Sequence, residues 1–294
     1  YNFCDEYNIQ YNKIGKIFLA KNSDDYVKLE AIYETAKNND IILDEISEQE
    51  LKNIEPNIIG TKGLFSKTSG IFDSYDFLEK LEYLYQDNDG IVAYNTPFYD
   101  LEEIKDNYFK IIVGMEEKTT LYSSYVINCS GMNALEISNK IFDKNKFILN
   151  NFVKGSYLRL NNNNKLINHI IYPAIIPGKI EERVDCTPTI HGDLRFGPSI
   201  EKEFKENDFD VPINLKDRFI PEINKYFKNF QSKNLQFDLS GIRPRIIING
   251  NSNPDFYINW QDNYNWLNLY GIESPGLTAS LAIADHVVDL VINR

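Results

Sequence analysis

Two arginines set close together carry the clearest chemical possibility in this sequence. Gly241-Ile242-Arg243-Pro244-Arg245 places both guanidinium groups in an apolar, strand-like context. Arg243 lies between Ile242 and Pro244, where burial is expected, and a buried arginine requires a partner. A carboxylate ligand suits it, because the planar guanidinium binds a carboxylate through two parallel hydrogen bonds. An internal Asp or Glu would serve as well, and the residues alone leave both partners open. A second candidate is Leu269-Tyr270-Gly271-Ile272-Glu273-Ser274-Pro275-Gly276-Leu277-Thr278. Ser274 has the chemistry of a helix N-cap, and Pro275 fits the first helical position, where no amide hydrogen is needed. The apolar residues Leu277, Leu281, Ile283, Ala284, Val287, Val288 and Val291 then predict a helix. Gly276 would keep bulk away from its first turn, so that free N–H groups face a phosphate or an electron-rich ring. An ordinary capped core helix has the same signature.

Other groups offer weaker signals. Val126-Ile127-Asn128-Cys129-Ser130-Gly131 reads as a buried strand running into a small-residue turn, with a helix from Ala134; Ser130 and Gly131 would let a backbone approach a ligand closely. Such turns are also common as plain connections. Tyr172, at the end of Ile170-Ile171-Tyr172-Pro173, could hydrogen-bond a ligand or belong to the core. His169 and His191 could act as acid or base, although a lone histidine in a strand or turn is more often structural. The three histidines have no metal-ligand spacing. No Gly-x-Ser-x-Gly, P-loop or His-Glu-x-x-His is present.

The whole-chain properties bound these possibilities. With 294 residues and 43% hydrophobic content, a sizeable core is available. A net charge of −12 argues against nucleic acid and anionic membrane surfaces. A small anionic substrate would therefore need a local positive site. Cys4, Cys129 and Cys186 are odd in number and widely spaced, which suggests a reducing compartment such as the cytoplasm. No apolar run is long enough to cross a bilayer.

The elements that must position these residues follow in an interrupted order. Asn12 to Ala20 reads as a strand containing Gly15, Asp25 to Asn38 as a helix, and Ser47 opens a short helix ending before Pro56. Gly60 to Ser69 is turn-rich and extended. A helix from Tyr75 to Gln86, capped by Asp73 or Ser74, carries Leu78, Leu81, Leu84 and Tyr85 on its apolar face. A strand is expected over 91–96, and a hairpin over 108–122 with its turn at Gly114 to Lys118. From Phe152 to Phe196 the pattern is mostly strand: Val153–Leu160, His169–Tyr172, Arg183–Thr189 and Asp193–Phe196. Asn161 to Lys165 reads as a polar hairpin loop. Residues 201–233 read as mostly helical. Asp238 to Ile248 is a strand interrupted by Gly241 and Pro244, and Phe256–Trp260 and Trp266–Tyr270 are the last strands. The order α/β, then β-rich, then α/β suggests one domain interrupted by a second, largely antiparallel one.

Gly271-Ile272-Glu273-Ser274-Pro275-Gly276-Leu277-Thr278 resembles the C-terminal flavin-binding motif of L-2-hydroxyglutarate dehydrogenases and oxidases. These belong to the FAD-dependent D-amino-acid-oxidase superfamily, which also includes glycerol-3-phosphate dehydrogenases. Gly15-Lys16, Ser69 to Asp73, Val126 to Gly131, Lys154 to Tyr157, Tyr172-Pro173, Phe196 to Pro198 and Gly241 to Pro244 match in the same order. The resemblance implies an α/β fold, with an incomplete Rossmann-like FAD domain (residues 61–150 and 236–294) interleaved with a largely antiparallel substrate domain (1–60 and 151–235). It implies FAD as cofactor, Ser130 and Gly131 along its adenosine-diphosphate part, and Thr96 to Phe98 beside the adenine. Gly271, Gly276, Leu277 and Thr278 would lie along the ribityl chain and the pyrimidine edge. Arg243 would hold the substrate carboxylate, with Tyr172 assisting. The implied reaction oxidises L-2-hydroxyglutarate to 2-oxoglutarate and passes electrons to oxygen or a quinone; an amino acid, an amine or glycerol 3-phosphate is the alternative substrate. Two departures stand out. No Gly-x-Gly-x-x-Gly is present, so the expectation is a chain lacking that first unit, either a remnant or one half of a split protein. Asp185 stands where relatives often carry a histidine.

Overall fold

The computed structural model describes all residues except 106–107, 143–146, 162–164, 179–181, 206, 253–254 and 262. The chain divides into two compact units: residues 1–91 with 154–241, and residues 92–153 with 242–294.

The first unit is built on an eight-stranded sheet. Its order is Leu235–Arg243, Val153–Leu160, Leu194–Gly197, Asp185–Pro188, Ile170–Pro173, Lys16–Ala20, Lys62–Ser66 and Asp44–Ser47. Ile170–Pro173 and Lys16–Ala20 run parallel, whereas the antiparallel registers include Leu158↔Phe196, Cys186↔Phe196, Ile171↔Cys186 and Ile17↔Phe65. Side chains alternate between faces along a strand, and this register gathers Ile17, Leu19, Ile171, Cys186, Phe196 and Leu158 on one face. Helix Leu215–Asn224 covers that face with Leu215, Phe219 and Ile223, all fully buried. Each such side chain contributes roughly 1.5–3 kcal/mol through burial. Helix Tyr26–Lys37 packs Leu29, Ile32 and Ala36 against Ala20 and Leu64, on the opposite face. The rest of that face carries Lys16, Tyr172, Asp185, Thr187 and Arg195.

Local signals account for several boundaries. Ser47 and Glu50 form a capping box on helix Glu48–Ile54, the Ser47 hydroxyl accepting from the Glu50 amide while the Glu50 carboxylate accepts from the Ser47 amide at 2.7 Å. Asp73 caps helix Ser74–Asp87 by accepting from the amides of Tyr75 and Asp76. Gly15 sits at φ +73°, and a Cβ there would lie 2.4 Å from the Phe65 ring. The expected strand from Asn12 to Ala20 therefore breaks at Gly15, into Tyr11–Asn12 and Lys16–Ala20.

The second unit contains three small sheets. Phe98–Lys105, Tyr108–Val113 and Thr119–Ser123 form one; Ile148–Asn150, Ile246–Ile248 and Asn251–Ser252 form another. The third has the order Tyr257–Trp260, Trp266–Tyr270, Val126–Asn128, and its last two strands run parallel. Fully buried Trp266 meets Phe109 and Phe142 edge-on at 5.6 and 5.5 Å. Helix Ala134–Ile141 and the C-terminal helix Ser280–Ile292 complete the unit.

Several expectations change. The division expected near residue 60 falls at 91, because Lys62–Ser66 pairs between Lys16–Ala20 and Asp44–Ser47 instead of forming an extended turn. Residues 91–96 form no strand, and Ile91 and Tyr94 are exposed. On helix Ser74–Asp87 the buried side chain is Phe77, while Leu78 and Tyr85 face solvent. Among the described residues of 201–233, only Leu215–Asn224 is α-helical, since the charged stretch before it lacks an apolar stripe. The strand before Arg243 is continuous through Gly241 and ends at Pro244, which has no amide to donate. Part of the Asn161 to Lys165 loop lies outside the described residues.

One buried polar group anchors the first core. Glu55 is fully buried, and its Oε1 accepts from the amides of Asn168 and His169 and contacts His169 Nδ1, each at 2.7 Å. This fixes His169 as a structural side chain in this arrangement. Glu55→Ala removes the acceptor from two part-buried amides and is expected to cost about 3 kcal/mol. The urea unfolding midpoint checks this; a change within error would show that the contacts are replaceable.

Candidate functional site

In the second unit, Val126–Asn128 and Trp266–Tyr270 are parallel neighbours in the register Trp266↔Val126 and Asn268↔Asn128. Their carboxyl ends therefore open side by side, and the two turns that leave them hold most of the residues singled out from the sequence. One is Cys129-Ser130-Gly131, leading to helix Ala134–Ile141; the other runs from Gly271 to Ala279. Ligands of α/β sheets lie in the crevice outside the carboxyl ends of parallel strands.

A buried polar chain fixes both turns. Trp266 Nε1 donates to Asn268 Oδ1 at 2.9 Å, and Asn128 Nδ2 donates to the same oxygen at 2.9 Å. Asn128 Nδ2 also donates to the Ala134 carbonyl at 2.8 Å, and the Ser130 hydroxyl donates to Asn128 Oδ1 at 2.6 Å. The Ser130 side chain is thus committed within the turn, its amide also lies 3.4 Å from Asn128 Oδ1 and its carbonyl accepts from the Asn133 amide at 3.1 Å, so the turn is held rigid while Ser130 itself stays exposed. Asn128 and Asn268 were not singled out from the sequence, although an Asn in each of two apolar strands, Val-Ile-Asn and Trp-Leu-Asn-Leu-Tyr, is a readable anomaly. Gly131 sits at φ +60° with no atom within 4 Å of a would-be Cβ, so open space lies beside it.

The second turn differs from expectation. Ser274 does not cap a helix and Pro275 does not start one: residues 274–279 are turns, and the helix begins at Ser280. The Gly276 amide donates to the Glu273 carbonyl and the Ala279 amide to the Pro275 carbonyl, at 2.5 and 2.9 Å. A Cβ at Gly276 would lie 2.6 Å from Ile272 and 2.7 Å from the Glu273 carbonyl oxygen, so glycine is required there by the turn's own packing. Leu277 and Thr278 are exposed at its tip, and Gly271 is buried at φ +69°.

Arg243 and Arg245 also belong to this unit, and both face Glu273. Arg245 Nε lies 2.6 Å from Glu273 Oε1, and Arg243 Nε lies 3.7 Å from Oε2. All three side chains are largely buried, with 23%, 21% and 17% of their surface exposed for Arg243, Arg245 and Glu273. One carboxylate thus serves two guanidinium groups. Arg245 holds the short contact, and Arg243 keeps hydrogen-bonding capacity.

Tyr172 belongs to the first unit. Arg183 stacks on its ring at 4.4 Å from the centroid, and the Lys16 ammonium lies 4.7 Å from it. Burial, then the nearby Asp185 carboxylate, push the phenol from 10.0 up to about 12. Tyr172 therefore stays a neutral hydrogen-bond donor across the physiological range. Asp185 is buried and holds Arg183. His191 is exposed, 3.9 Å from Asp73.

Residues 1–290 match the family model described as FAD dependent oxidoreductase. The chain belongs to this family. It is 28% identical over 98% of its length to the mitochondrial L-2-hydroxyglutarate dehydrogenase of Arabidopsis thaliana, and 27% identical over 99% to a glycerol 3-phosphate dehydrogenase of Caloramator mitchellensis. It spans 68% and 59% of those relatives' own lengths. In fold it is similar to the FAD-bound L-alpha-glycerophosphate oxidase of Mycoplasma pneumoniae, with a TM-score of 0.84 at 21% identity, covering 96% of this chain and 74% of the other. The family's cofactor is FAD, and the second unit fits it: two adjacent strand ends, open space beside Gly131 and an exposed turn at Leu277 and Thr278 meet the needs of an extended dinucleotide. No described helix is long and apolar enough to cross a membrane, and no described group of His, Cys, Asp and Glu could hold a metal.

Two measurements probe this geometry. Asn128→Ala removes one of the two donors to Asn268 Oδ1 and takes the Asn128 partner from the Ala134 carbonyl and the Ser130 hydroxyl, and is expected to cost about 1–3 kcal/mol, with a red shift in tryptophan emission as Trp266 loosens. Unchanged emission and stability would remove the amide chain from its positioning role. For Tyr172 the raised value acts on a group that is neutral when protonated, so its contribution is fully present below pH 10 and is lost as pH rises towards 12. Tyr172→Phe is expected to flatten the fall in folding stability over that window, read by denaturant midpoints at successive pH values.

Proposed function

We propose that this protein oxidises a small 2-hydroxy acid, L-2-hydroxyglutarate to 2-oxoglutarate, in an FAD-dependent reaction. The observation that carries the reading is the arginine pair: Arg243 and Arg245 share the single carboxylate of Glu273, leaving one positive charge for an acid. The mitochondrial relative's name points to the same acid. Arg243, with the longer contact to Glu273, takes the substrate carboxylate, and Arg245 with Glu273 holds it in place. Tyr172, neutral over the working pH range, is the proposed second hydrogen-bond donor to the substrate. Ser130, Gly131, Gly271, Gly276, Leu277 and Thr278 form the proposed FAD cradle, through backbone groups at the ends of the two parallel strands. When bound, FAD supplies the hydride acceptor that turns the hydroxyl-bearing carbon into a carbonyl. Oxygen or a quinone is the proposed final acceptor. The free thiols Cys4, Cys129 and Cys186 agree with a reducing compartment, for which we propose the cytoplasm.

A second reading is supported by the surface of the same unit. Ile127, on the outer strand of its three-stranded sheet, is 43% exposed, and Leu281, Val288 and Ile292 of the last helix also face solvent. A further polypeptide carrying a glycine-rich unit would cover this surface, and the chain would then act as one half of a flavoprotein.

The substrate reading is tested with Arg243→Ala. The lost charge-assisted hydrogen bond, worth roughly 1.5–3 kcal/mol, is expected to raise KM for L-2-hydroxyglutarate by about 10- to 100-fold while flavin content stays unchanged. Normal kinetics in the variant, or faster turnover of glycerol 3-phosphate by the parent protein, would overturn it. The visible spectrum of the purified polypeptide separates the two readings: a stoichiometric flavin band supports cofactor binding by this chain alone, and a colourless protein that turns yellow only with added polypeptide supports the second.

A further inference from the structure

The face of the eight-stranded sheet that carries Tyr172 borders a cavity of about 490 Å³. This is within the size range of small-molecule sites. Its polar lining includes Lys16, Ser66, Ser69 and Arg183, with Thr35, Asn39 and Thr68 also at its wall, and its apolar lining includes Phe18, Ile32 and Leu43. Arg183 is committed: its Nη2 donates to Asp185 Oδ2 at 2.9 Å, and its Nε is paired with Asp185 Oδ1. Lys16 is in a different position. Its ammonium lies 4.7 Å from the Tyr172 ring centroid and 5.5 Å from that of Phe18. Among the described residues, it has no carboxylate within ion-pair distance. The one carboxylate, Asp185, is taken by Arg183, so the positive charge of Lys16 remains at the cavity. Burial lowers the Lys16 pKa, opposed by Asp185 and reinforced by Arg183.

An ammonium that has lost much of its water and faces aromatic rings is incompletely compensated, because ring faces replace only part of its hydration. The Ser66 and Ser69 hydroxyls lie 3.0 Å apart, so one proton is shared between them and the other is free to donate. A positively charged group, a free hydroxyl proton and an apolar wall together fit a short-chain organic acid. The charge count selects among acids. One surplus positive charge balances a carboxylate, whereas a phosphate monoester would carry an excess negative charge into a partly dehydrated cavity of a chain with net charge −12.

We propose that this cavity is a carboxylate-binding site for the end of a short aliphatic acid, with Lys16 as the cation, the Ser66–Ser69 pair as the hydroxyl donor, and Phe18 with Ile32 and Leu43 receiving the carbon chain. The site lies wholly within the first unit and does not depend on the role given to Arg243.

The test is titration of the full chain with butyrate and, separately, with butyl phosphate, followed by calorimetry and by the NMR signals of ¹³C-labelled lysine. Saturable butyrate binding at least tenfold tighter than that of butyl phosphate is expected, with the Lys16 signal moving towards a higher pKa on binding. Lys16→Met should weaken butyrate binding by about tenfold or more, equivalent to roughly 1.4 kcal/mol, with unchanged circular dichroism, while Lys16→Arg retains it. Arg243→Ala should bind butyrate like the parent protein, which keeps failure here distinct from failure of the substrate reading. Absence of saturable butyrate binding, a Lys16 signal that does not respond, equal affinity in Lys16→Met, or tighter binding of the phosphate ester would each overturn the proposal. The lysine signals need no variant, so the outcome stands even if Lys16→Met fails to fold.

Discussion

The hydrogen bond between Asn128 and Asn268 is the constraint on which the second unit's site rests. The two side chains sit opposite each other on neighbouring parallel strands, each the third residue of its strand. A buried amide pair is expensive unless its groups are used, and here Trp266 and Ser130 donate to the two amide oxygens while the Ala134 carbonyl accepts from Asn128. Register slippage by one residue would leave these groups unpaired in an apolar layer. The pair therefore fixes which residues stand at the carboxyl ends of both strands, and so where the Ser130–Gly131 and Gly271–Thr278 turns begin. A cofactor cradle made of backbone groups needs that precision more than it needs any particular side chain.

The first unit solves a different problem. A sheet with one face sealed by helix Leu215–Asn224 can leave its other face partly polar, because the sealed face supplies the stability. The helix Tyr26–Lys37 covers only part of the second face, and beyond it the strands present Lys16, Tyr172, Asp185, Thr187 and Arg195. Charged groups there are held by short internal contacts, such as Arg195 Nε to Asp238 Oδ2 at 2.6 Å and Arg183 to Asp185. The loop around Glu55 is tied to the start of the Ile170–Pro173 strand through the Asn168 and His169 amides, so Tyr172 is presented from a strand anchored at its N-terminal end.

Where the sequence was legible, one local rule was enough. Val153–Leu160 forms a strand with the bounds expected from its sequence; Ser47, and Asp73 or Ser74, mark the starts of two helices in the sequence, and Gly114 to Lys118 mark a hairpin turn. The errors arise where a tertiary contact overrides the local rule. Gly60 to Ser69 reads as a turn because of its glycines, yet Gly63 packs where a Cβ would lie 2.9 Å from Ile46 and 3.1 Å from Ile17, which is what lets a central strand form there. Ser274-Pro275 has the composition of a helix start, but the Gly276 amide is drawn back to Glu273 and the helix is delayed to Ser280. For the candidate site, the residue types were visible and the partner was not. Nothing in the spacing of Arg243, Arg245 and Glu273 says that a carboxylate 28 residues downstream of Arg245 closes on both.

That sharing has a chemical consequence. A buried guanidinium with no partner would be costly, and one fully paired would have nothing left for a ligand. Two arginines on one carboxylate lie between these limits: the local charge is +1, and the geometry is held before any acid arrives. The carboxylate of a 2-hydroxy acid keeps its charge when the neighbouring carbon is oxidised to a carbonyl. In the proposed reaction an arginine that grips it would therefore stabilise the bound substrate and the transition state to similar extents, and its contribution would belong in KM and not in kcat. In that proposal, rate acceleration would come from groups that meet the changing charge at the hydroxyl-bearing carbon and its acceptor, a role that the backbone turns at the ends of the parallel strands, and not the arginines, would fill.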